Sequence, residues 1–368
     1  MIYIHVPFCK RFCTYCDFFS ELVTANDGQL MHSYADALCQ EIQRRKAELT
    51  SPDSFLADTL YFGGGTPSVL PMEDLFRILM ELQELGHGCP YEEFTMEVNP
   101  EDVVEKGADY LRNLRALGVT RLSIGIQSLD DDVLRWMNRR HDAARARKAF
   151  EMAREAGFNN ISVDLIFGIS SLPAEVWSRT VDEVIALCPE HISCYQLTVE
   201  GDCALAQMVA AGQYVEADEE QCRQQYDILC EKLTKAGYGH YEISNFAIPG
   251  YEARHNSGYW ARLPYIGLGP SAHSFNGSDR RFWNSNSLTE YTTSEEILDP
   301  DAVRVETMML ALRTARGIEE KWLRAHTDAA PLDTLIEKGA LIPAAEDGYL
   351  RIPEDRFFVS DEIIRELI

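Results

Sequence analysis

The sequence opens with MIYIHVPFCKRFCTYCDFFS, residues 1–20, and this stretch decides the fold. The apolar run Ile2–Val6 has the length and composition of a buried β-strand, and Pro7 ends it. Cys9, Cys13 and Cys16 follow in a C-x3-C-x2-C spacing. Thiolates this close together suit a metal centre better than disulfides, because an odd cysteine would remain unpaired. The sequence therefore predicts a metal centre directly after the first strand.

Two kinds of metal centre fit this spacing. An iron–sulfur cube takes four ligands, usually Cys thiolates, so three cysteines leave one iron open to an outside ligand. Neighbouring aromatic side chains would shield such a cluster from water: Phe8, Phe12, Tyr15, Phe18 and Phe19. The alternative is a structural zinc site of the Cys3His type, with His5 or a distant histidine as the fourth ligand. Zinc knuckles usually occur in pairs and the sequence has no second knuckle downstream, so the spacing favours a cluster with an open iron.

Composition and charge narrow the function classes. The chain of 368 residues carries 59 acidic and 34 basic residues, a formal charge of −25. Nucleic-acid binding depends on Lys and Arg neutralising phosphates, so we predict no nucleic-acid partner and disfavour an enzyme acting on tRNA. No hydrophobic run reaches the roughly 18 residues that span a bilayer, and the start of the sequence does not resemble a signal peptide. We therefore expect a cytoplasmic protein.

The seven cysteines outside the opening stretch are scattered through the chain. In a cytoplasmic protein they are best interpreted as reduced thiols, and buried, inert thiols are the expected state. They are Cys39, Cys89, Cys188, Cys194, Cys203, Cys222 and Cys230.

Residues 1 to about 200 alternate short β-like runs with amphipathic helical stretches. The predicted strands are 2–6, 59–62, 94–98, 121–126, 161–167 and 191–197, and the predicted helices are 34–49, 72–85, 108–117, 143–156 and 174–187. Gly118 and Gly157 stand where a helix C-cap glycine is expected. Repeated strand–helix units predict an α/β fold with a parallel sheet, either open or closed into a partial TIM-like barrel.

Polar and glycine-rich residues follow the predicted strands at their carboxyl ends. The second strand runs into glycines at 63–65, the third into Glu97 and Asn99, the fourth into Gln127, and the fifth carries Asp164. Functional groups gather at this end of parallel strands. These groups are therefore expected on the same rim as the cysteine loop.

The cysteine spacing resembles that of the radical S-adenosylmethionine (SAM) superfamily, whose members bind a 4Fe-4S cluster through three cysteines and place SAM on the fourth iron. The string YIHVPFC…C.YCDF is more specifically similar to the branch that contains oxygen-independent coproporphyrinogen III oxidase and a group of heme chaperones. The resemblance implies a partial (β/α)6 TIM-like barrel with a smaller C-terminal α+β domain. It also implies that Cys9, Cys13 and Cys16 hold the cluster.

The same resemblance implies a set of SAM-binding residues, matched motif by motif. They are Tyr3, Tyr15, Gly64, Gly65 and Thr66 of GGGTP, Glu97, Gln127, Arg139, Asp164 of DLIFG, and Ala272 and His273 of GLGPSAHS. Without the resemblance, the glycines could form a tight turn, Glu97 could lie near a helix N-cap, and Arg139 could be a solvated cation beside Arg140. After DLIFG the family usually has Leu-Pro-Gly-Gln, which this chain lacks, so contacts made by that loop are in doubt.

Beyond residue 200 the alternation stops. A long helix is predicted over 217–236 and a strand over 238–246, and the C-terminal region has helical patterns at 305–313, 322–325 and 332–338 with a β-like segment at 350–352. We predict three regions: a radical SAM barrel over 1–200, a family-specific extension over 201–300, and a small helical, winged-helix-like domain over 301–368. The winged-helix pattern lacks an excess of cations and is interpreted as a lid or partner surface.

The extension carries the string HNSGYW, residues 255–260, which could be a capped turn with packing aromatics. An HNxxYW string at this place resembles the signature of the heme chaperone group. The oxidases carry a fourth cysteine two positions after the third, where this chain has Phe18. Both observations favour a heme chaperone over a coproporphyrinogen oxidase.

The resemblance thus implies a chaperone that binds heme and transfers it to a respiratory or other acceptor hemoprotein. His255 is a candidate heme ligand, since a neutral imidazole is an ordinary axial ligand. The implied cofactors are the 4Fe-4S cluster, SAM and heme, and an electron donor for the cluster is an expected partner. Membrane association is expected at most through the acceptor. SAM cleavage of the radical type would be available to such a chain, and no catalytic residue is assigned.

Overall fold

The computed structural model describes residues 1–50, 58–86, 90–201 and 203–368. Its strands are β1 (Ile2–Val6), β2 (Phe8–Cys9), β3 (Glu21–Leu22), β4 (Thr59–Gly64), β5 (Glu93–Val98), β6 (Arg121–Gln127), β7 (Ile161–Phe167), β8 (His191–Gln196), β9 (Gly239–Glu242), β10 (Asn245–Ala247), β11 (Ile266–Leu268), β12 (His273–Phe275), β13 (Arg280–Asn284), β14 (Thr293–Ile297), β15 (Ile318–Glu319), β16 (Ile342–Pro343) and β17 (Tyr349–Arg351).

The α-helices surround the strands and follow them along the chain. They are α1 (Gly28–Arg44), α2 (Lys46–Leu49), α3 (Met72–Glu84), α4 (Pro100–Ala116), α5 (Asp131–Trp136), α6 (Ala143–Glu155), α7 (Ala174–Leu187), α8 (Ala204–Ala210), α9 (Glu219–Lys235), α10 (Arg254–Trp260), α11 (Pro300–Leu312), α12 (Glu320–His326), α13 (Ala329–Glu337) and α14 (Ser360–Arg365). None of the helices in the described ranges is long and apolar enough to span a membrane.

A nine-stranded sheet forms the centre of the molecule. Its order is β11-β1-β4-β5-β6-β7-β8-β10-β9, and the six strands from β1 to β8 are parallel neighbours taken in chain order. Helices connect these six strands, which confirms the α/β class and the partial (β/α)6 barrel. β11 adds a parallel strand outside β1, while β10 and β9 extend the other edge in antiparallel orientation.

The two faces of this sheet differ in polarity. Ile2 and Ile4 of β1 are fully buried on the face that the helices cover, and the same holds for Leu60 and Phe62 of β4. The alternate positions carry polar side chains that face the barrel interior, because successive residues of a strand point to opposite faces. On six strands these inward residues include Tyr3, His5, Tyr61, Glu97, Ser123, Asp164 and Ser193. The apolar core therefore lies between sheet and helices, and the interior is available for a polar site.

The predicted strands agree with the observed ones to within one or two residues, except after residue 237. The strand predicted over 238–246 is wrong as a single element, since β9 and β10 form an antiparallel hairpin. Ser244 in the turn donates its backbone N–H to Oε2 of Glu242 at 3.2 Å. Alternating hydrophobicity continues through such a tight turn, so the pattern alone did not indicate where the strand ends.

The ends of the helices follow the expected chemistry, with one exception. Gly118 and Gly157 adopt φ values of 95° and 90° after α4 and α6, which confirms both as C-cap glycines. Cys188 takes the corresponding left-handed position after α7, at φ 55°. Its side chain is exposed, so the expectation of a buried thiol is wrong there. Cys194, Cys203 and Cys222 are buried, Cys39 and Cys230 are partly buried, and Cys89 lies outside the described residues.

Residues after 200 return to the barrel before forming separate sheets. β9, β10 and β11 belong to the nine-stranded sheet, although they lie within the predicted extension. β12, β13 and β14 form one three-stranded sheet, and β15, β17 and β16 form another beside α11 to α14. The division at 200 and 300 stays a prediction, and the C-terminal region has the expected small α+β architecture.

Candidate functional site

The loop between β1 and α1 carries the three cysteines. β2 pairs with β3, which brings the end of the loop back beside its start. Thr14 binds the α5 end twice, through its backbone N–H to the Met137 carbonyl at 3.1 Å and its hydroxyl to the Trp136 carbonyl at 2.9 Å. Asn138 donates to the Phe12 carbonyl at 2.7 Å. The loop is therefore held at the carboxyl ends of the strands, as predicted from the fold.

Cys9, Cys13 and Cys16 are free thiols and are partly exposed. Burial, with a smaller contribution from Cys13 and Cys9, raises the pKa of Cys16 to about 12. Thiols in such surroundings become thiolates when a metal binds them and displaces the protons.

The donor set fits a cluster better than a single zinc ion. No three of the His, Cys, Asp and Glu side chains within the described ranges, the three loop cysteines included, are grouped closely enough to hold one metal ion. His5, the nearest candidate for a fourth zinc ligand, uses Nε2 on the Phe19 carbonyl at 2.9 Å and Nδ1 on the Tyr3 hydroxyl at 3.2 Å. Three thiols without a fourth protein ligand match an iron–sulfur cube that has one open iron.

A chain of hydrogen bonds joins two of the cysteines through the strand ends. Arg139 donates from Nη1 to Sγ of Cys13 at 3.3 Å and from Nη2 to Oδ1 of Asn99 at 2.7 Å. Asn99 donates to Oγ1 of Thr66 at 3.1 Å, and Thr66 lies 3.5 Å from Sγ of Cys9. Arg139 also donates to the Gly125 carbonyl at 2.7 Å. The chain places a positive charge beside the cysteine loop.

Arg139 and not Arg140 faces the cysteines, so the interpretation of Arg139 as a solvated cation is wrong. Arg140 instead contacts Asp102 at 3.4 Å and Glu105 at 3.0 Å. Nε of Arg139 is buried without a hydrogen-bond partner among the described residues.

The glycines at the end of β4 are required by close packing. A Cβ at Gly64 would lie 2.6 Å from the His5 ring, and a Cβ at Gly65 would lie 2.9 Å from backbone atoms of Phe8 and Val6. Gly64 also has φ 107°, a conformation that L side chains rarely adopt. Packing against β1 therefore accounts for these glycines in part, and their contact with SAM stays a prediction.

Glu97 points into the barrel and accepts two hydrogen bonds. The Tyr61 hydroxyl donates to Oε1 at 2.7 Å, and the Gly64 N–H donates to Oε2 at 3.2 Å. Asn99, not Glu97, occupies the N-cap position of α4. Burial raises the pKa of Glu97 to about 7, and the carboxylate of Asp164 adds to the effect. Glu97 is thus a carboxylate that titrates near neutral pH on the inner wall.

Asp164 and Gln127 lie further along the inner wall. Ser123 donates to both carboxylate oxygens of Asp164, at 3.0 and 3.1 Å, and burial raises the pKa of Asp164. Gln127 has φ 66°, in the left-handed region, where the pairing of β6 with β7 shifts register. A strained residue at a strand end is a frequent feature of binding sites. Gln127 ends β6 at the predicted rim, whereas Asp164 lies in the middle of β7 on the inner wall.

The predicted SAM-binding tyrosines Tyr3 and Tyr15 have different neighbours. The Tyr3 ring lies 6.0 Å from the Tyr61 ring inside the barrel. Burial raises the pKa of Tyr15, and electrostatic contacts link it to Arg139 and Cys13. Tyr3 is therefore beside Glu97 and its partner, and Tyr15 is beside the cysteines.

His273 borders a cavity of about 510 Å³ on the β1 side of the barrel, and Ala272 precedes it in the chain without lining the cavity. Ala272 is buried, with its N–H on the Gly269 carbonyl at 3.3 Å. His273 is exposed and lies over Trp283, with ring centroids 5.9 Å apart. We call this space the aromatic cavity, because six aromatic residues line it: Tyr3, Phe18, Phe19, Tyr259, Tyr265 and Phe275.

His255 lies at the opposite end of the strands from the cysteine loop. Its Nδ1 contacts Oγ1 of Thr59 at 2.8 Å and its Nε2 contacts the Tyr259 hydroxyl at 2.8 Å. The side chain is 1% exposed, and burial lowers its pKa to about 3. Both ring nitrogens are therefore engaged, and His255 could reach heme iron only if the barrel opened there. Its role as a heme ligand stays a prediction.

Sequence reasoning missed two residues that complete the site. Tyr61 was absent from the motif matches, yet it orients Glu97. Asn99 was recognised only as a polar strand end, yet it links Arg139 with Thr66. Its position two residues after Glu97, in extended backbone just beyond the end of β5, could have indicated the contact.

Comparisons with known proteins agree with this geometry. A family model described as the radical SAM superfamily matches residues 3–184. The solved structure of coproporphyrinogen III oxidase (HemN) from Escherichia coli, a radical SAM enzyme, aligns with a TM-score of 0.80 over 99% of this chain and 89% of that chain, at 23% identity. At that identity the likeness supports the fold alone.

Curated relatives share more of the sequence. The heme chaperone HemW of Bacillus subtilis is 33% identical over 95% of this chain and 94% of its own length. HemW of Mycobacterium tuberculosis is 33% identical over 86% of this chain and 82% of its own. The mitochondrial radical S-adenosyl methionine domain-containing protein 1 of Danio rerio is 28% identical over 96% of this chain and 82% of its own length. The chain therefore belongs to the radical SAM superfamily and, within it, to the family of these HemW relatives.

Proposed function

We propose that this chain is a heme chaperone, which binds heme and transfers it to an acceptor hemoprotein. The observation that carries the proposal is the 33% identity to HemW of Bacillus subtilis over 94% of that protein's length. The alignment extends well past the barrel, so it includes the regions in which chaperone and oxidase would differ. Phe18, in place of the fourth cysteine that oxidases carry, supports the same choice.

The scaffold carries a 4Fe-4S cluster held by Cys9, Cys13 and Cys16, with SAM on the open iron. When bound, the reduced cluster supplies an electron that can cleave SAM. Thr66 and Arg139, which contact Cys9 and Cys13, orient the cysteines and place positive charge beside the thiolates. The cluster fits this loop because the loop carries three cysteines outside any disulfide and because His5 is engaged elsewhere.

SAM occupies the polar inner wall of the barrel. Glu97 accepts hydrogen bonds from the ribose hydroxyls when it is ionised, and Tyr61 and the Gly64 N–H hold it in place for that role. The remaining contacts come from the rim residues that the motifs indicate: Tyr3, Tyr15, Gly64, Gly65, Thr66, Gln127, Arg139, Asp164 and Ala272.

The partners of the chain are heme, an acceptor hemoprotein such as a respiratory one, and an electron donor for the cluster. The excess of acidic over basic residues opposes a nucleic-acid partner. The protein acts in the cytoplasm and meets a membrane only through its acceptor.

The test compares two activities on one anaerobic preparation with reconstituted cluster. Hemin is added, unbound hemin is removed by gel filtration, and the Soret band is recorded before and after mixing with an apo-hemoprotein. We expect retained heme and its transfer. In parallel, SAM, reductant and coproporphyrinogen III are supplied and protoporphyrinogen is measured. Sustained turnover without retained heme would overturn the proposed chaperone function and establish coproporphyrinogen III oxidase activity.

A further inference from the structure

We propose that heme binds in the aromatic cavity, with His273 as the axial ligand of the iron and with Arg262 and Arg281 contacting the propionates. This assignment rests on the proposed chaperone function and adds the site of the cargo. It assigns His273 to heme instead of SAM.

The shape and lining of the cavity suit a tetrapyrrole. Its volume of about 510 Å³ falls within the usual range of roughly 300–1,000 Å³ for cofactor pockets. Tyr259 and Tyr265 meet edge to face at 4.7 Å, and Tyr265 continues to Phe275 at 6.2 Å. Aromatic walls of this kind bury a flat apolar macrocycle favourably.

Phe18 stands at the mouth of the cavity. Its side chain is 67% exposed, which is unusual for a large apolar residue. Phe18 and Phe19 directly follow Cys16, so the same loop that holds the cluster forms one wall. A heme in the cavity would cover Phe18 and remove this apolar surface from water.

His273 has an imidazole free to bind iron. Neither of its ring nitrogens makes a hydrogen bond to any part of the chain that the structure describes, and the ring faces the cavity beside Tyr3 and His5. Burial lowers the pKa of His273, and Arg281 lowers it further, so the neutral form that binds iron is favoured.

The other described histidines are engaged or lie away from this cavity. His5, His141, His191 and His255 each use both ring nitrogens, and His240 contacts Tyr226 and the Ile243 carbonyl through Nε2. His32 contacts Glu73 and Asp74 on α3, and His326 stacks on Trp322 in the C-terminal region. His273 is therefore the available imidazole among the cavity residues.

Arg262 and Arg281 supply the counter-charge for carboxylates. Both guanidinium groups contact the same carboxylate, Glu306 of α11, and Arg281 lies 3.8 Å from Glu296. A propionate that enters the cavity meets two guanidinium groups in a geometry already used for a carboxylate. Asp17 also lines the cavity, and its charge opposes an alternative orientation with propionates toward the cysteine loop.

The experiment titrates hemin into the full-length protein with reconstituted cluster and follows the Soret band. For His273→Ala we expect at least a tenfold weaker Kd and a shift of the band toward that of iron lacking the imidazole ligand, with added imidazole restoring the position. His326→Ala is the matched control, because this histidine is exposed and does not line the cavity, and it should behave as wild type. SAM affinity and iron content of His273→Ala should equal those of wild type.

A second variant separates the propionate contact from iron ligation. Arg281→Ala should weaken the Kd several-fold while leaving the Soret position unchanged, whereas the neighbouring Arg280→Ala, which pairs with Glu295 at 3.0 Å, should alter neither. An unchanged Soret band and Kd in His273→Ala would overturn the inference. So would loss of SAM binding in His273→Ala with heme binding intact. Failure of the wild type to retain hemin would instead overturn the proposed function.

Discussion

The Tyr61 hydroxyl donates a 2.7 Å hydrogen bond to Oε1 of Glu97 inside the barrel. Both residues face inward on neighbouring strands, and burial raises the pKa of Glu97 from its ordinary value of 4.5 to about 7. The pairing therefore holds a carboxylate whose charge changes near neutral pH. Its ionised form is the one that can accept hydrogen bonds from two ribose hydroxyls.

Replacing Glu97 should weaken SAM binding. For Glu97→Gln we expect a Kd about tenfold to a hundredfold higher, because a hydrogen bond to a charged group contributes roughly 1.5–3 kcal/mol. In the wild type the affinity should fall as pH is lowered through about 7, and the variant should lack this dependence. Calorimetry with SAM on cluster-loaded protein measures the Kd of wild type and variant and its dependence on pH. Equal affinities at all pH values would contradict the assigned role.

Glu242 offers a control for this effect. Its carboxylate is also buried with a pKa raised to about 7, and it accepts the Ser244 N–H away from the cysteine loop. Glu242→Gln should leave SAM affinity unchanged, so a loss there would indicate a general change of the barrel interior.

The raised pKa of Glu97 also makes the free energy of unfolding depend on pH. Because the folded state binds a proton more tightly at Glu97 than the unfolded state does, this residue favours folding below about pH 4.5, and the benefit is lost as pH rises through about 7. Glu97→Gln should therefore raise the free energy of unfolding at pH 8 by about 2 kcal/mol relative to wild type. Urea denaturation at pH 8 and pH 5 measures the difference. A larger gain at pH 5 than at pH 8 would have the wrong sign and refute the explanation.

The cluster assignment predicts a sharp difference between cysteines. Cys9→Ala, Cys13→Ala or Cys16→Ala should reduce bound iron and sulfide to background after anaerobic reconstitution, since each supplies one of three ligands. Cys188→Ala, which removes an exposed thiol at the end of α7, should bind as much iron as wild type. Retention of zinc with little iron in the wild type would instead favour the zinc alternative.

The positive charge of Arg139 should raise the midpoint potential of the cluster. Its Nη1 lies 3.3 Å from Sγ of Cys13, so Arg139→Ala removes a cation that stabilises the reduced, more negative cluster. We expect a midpoint potential lower by an amount on the order of tens of millivolts. Arg140→Ala is the control, because this side chain pairs with Asp102 and Glu105. Equal potentials in the two variants would assign Arg139 a purely structural role.

The sequence predicted the barrel well because its strands repeat a strong local pattern. Runs such as Ile161–Phe167 are mostly apolar, with Ser162 and Asp164 as their polar residues, and a glycine follows directly. The sequence did not predict the contacts that join distant segments of the chain. β11 pairs with β1, and Asn99 meets Arg139, through geometry that no local pattern encodes. Motif membership likewise does not reveal that both nitrogens of His255 make hydrogen bonds inside the protein, and its role as a heme ligand stays a prediction.

The His255 side chain is buried, which indicates that this residue stabilises the fold. Glu93 at the start of β5 accepts the backbone N–H groups of Arg254 and His255, at 2.9 and 3.0 Å, and so caps α10. The His255 ring then ties α10 to Thr59 of β4. His255→Ala should lower the free energy of unfolding by about 2–4 kcal/mol, because it leaves a cavity and unpaired hydroxyl groups.

Asn256 is the matched control within the same motif. Its side chain makes no hydrogen bond to the described residues and is partly exposed, so Asn256→Ala should change the free energy of unfolding by less than about 0.5 kcal/mol. Urea denaturation measures both variants, and hemin titration of the folded proteins follows the Soret band. His255→Ala should be destabilised with an unchanged Soret position, because His273 holds the iron. A folded His255→Ala protein that loses the band would restore His255 as the heme ligand and exclude His273.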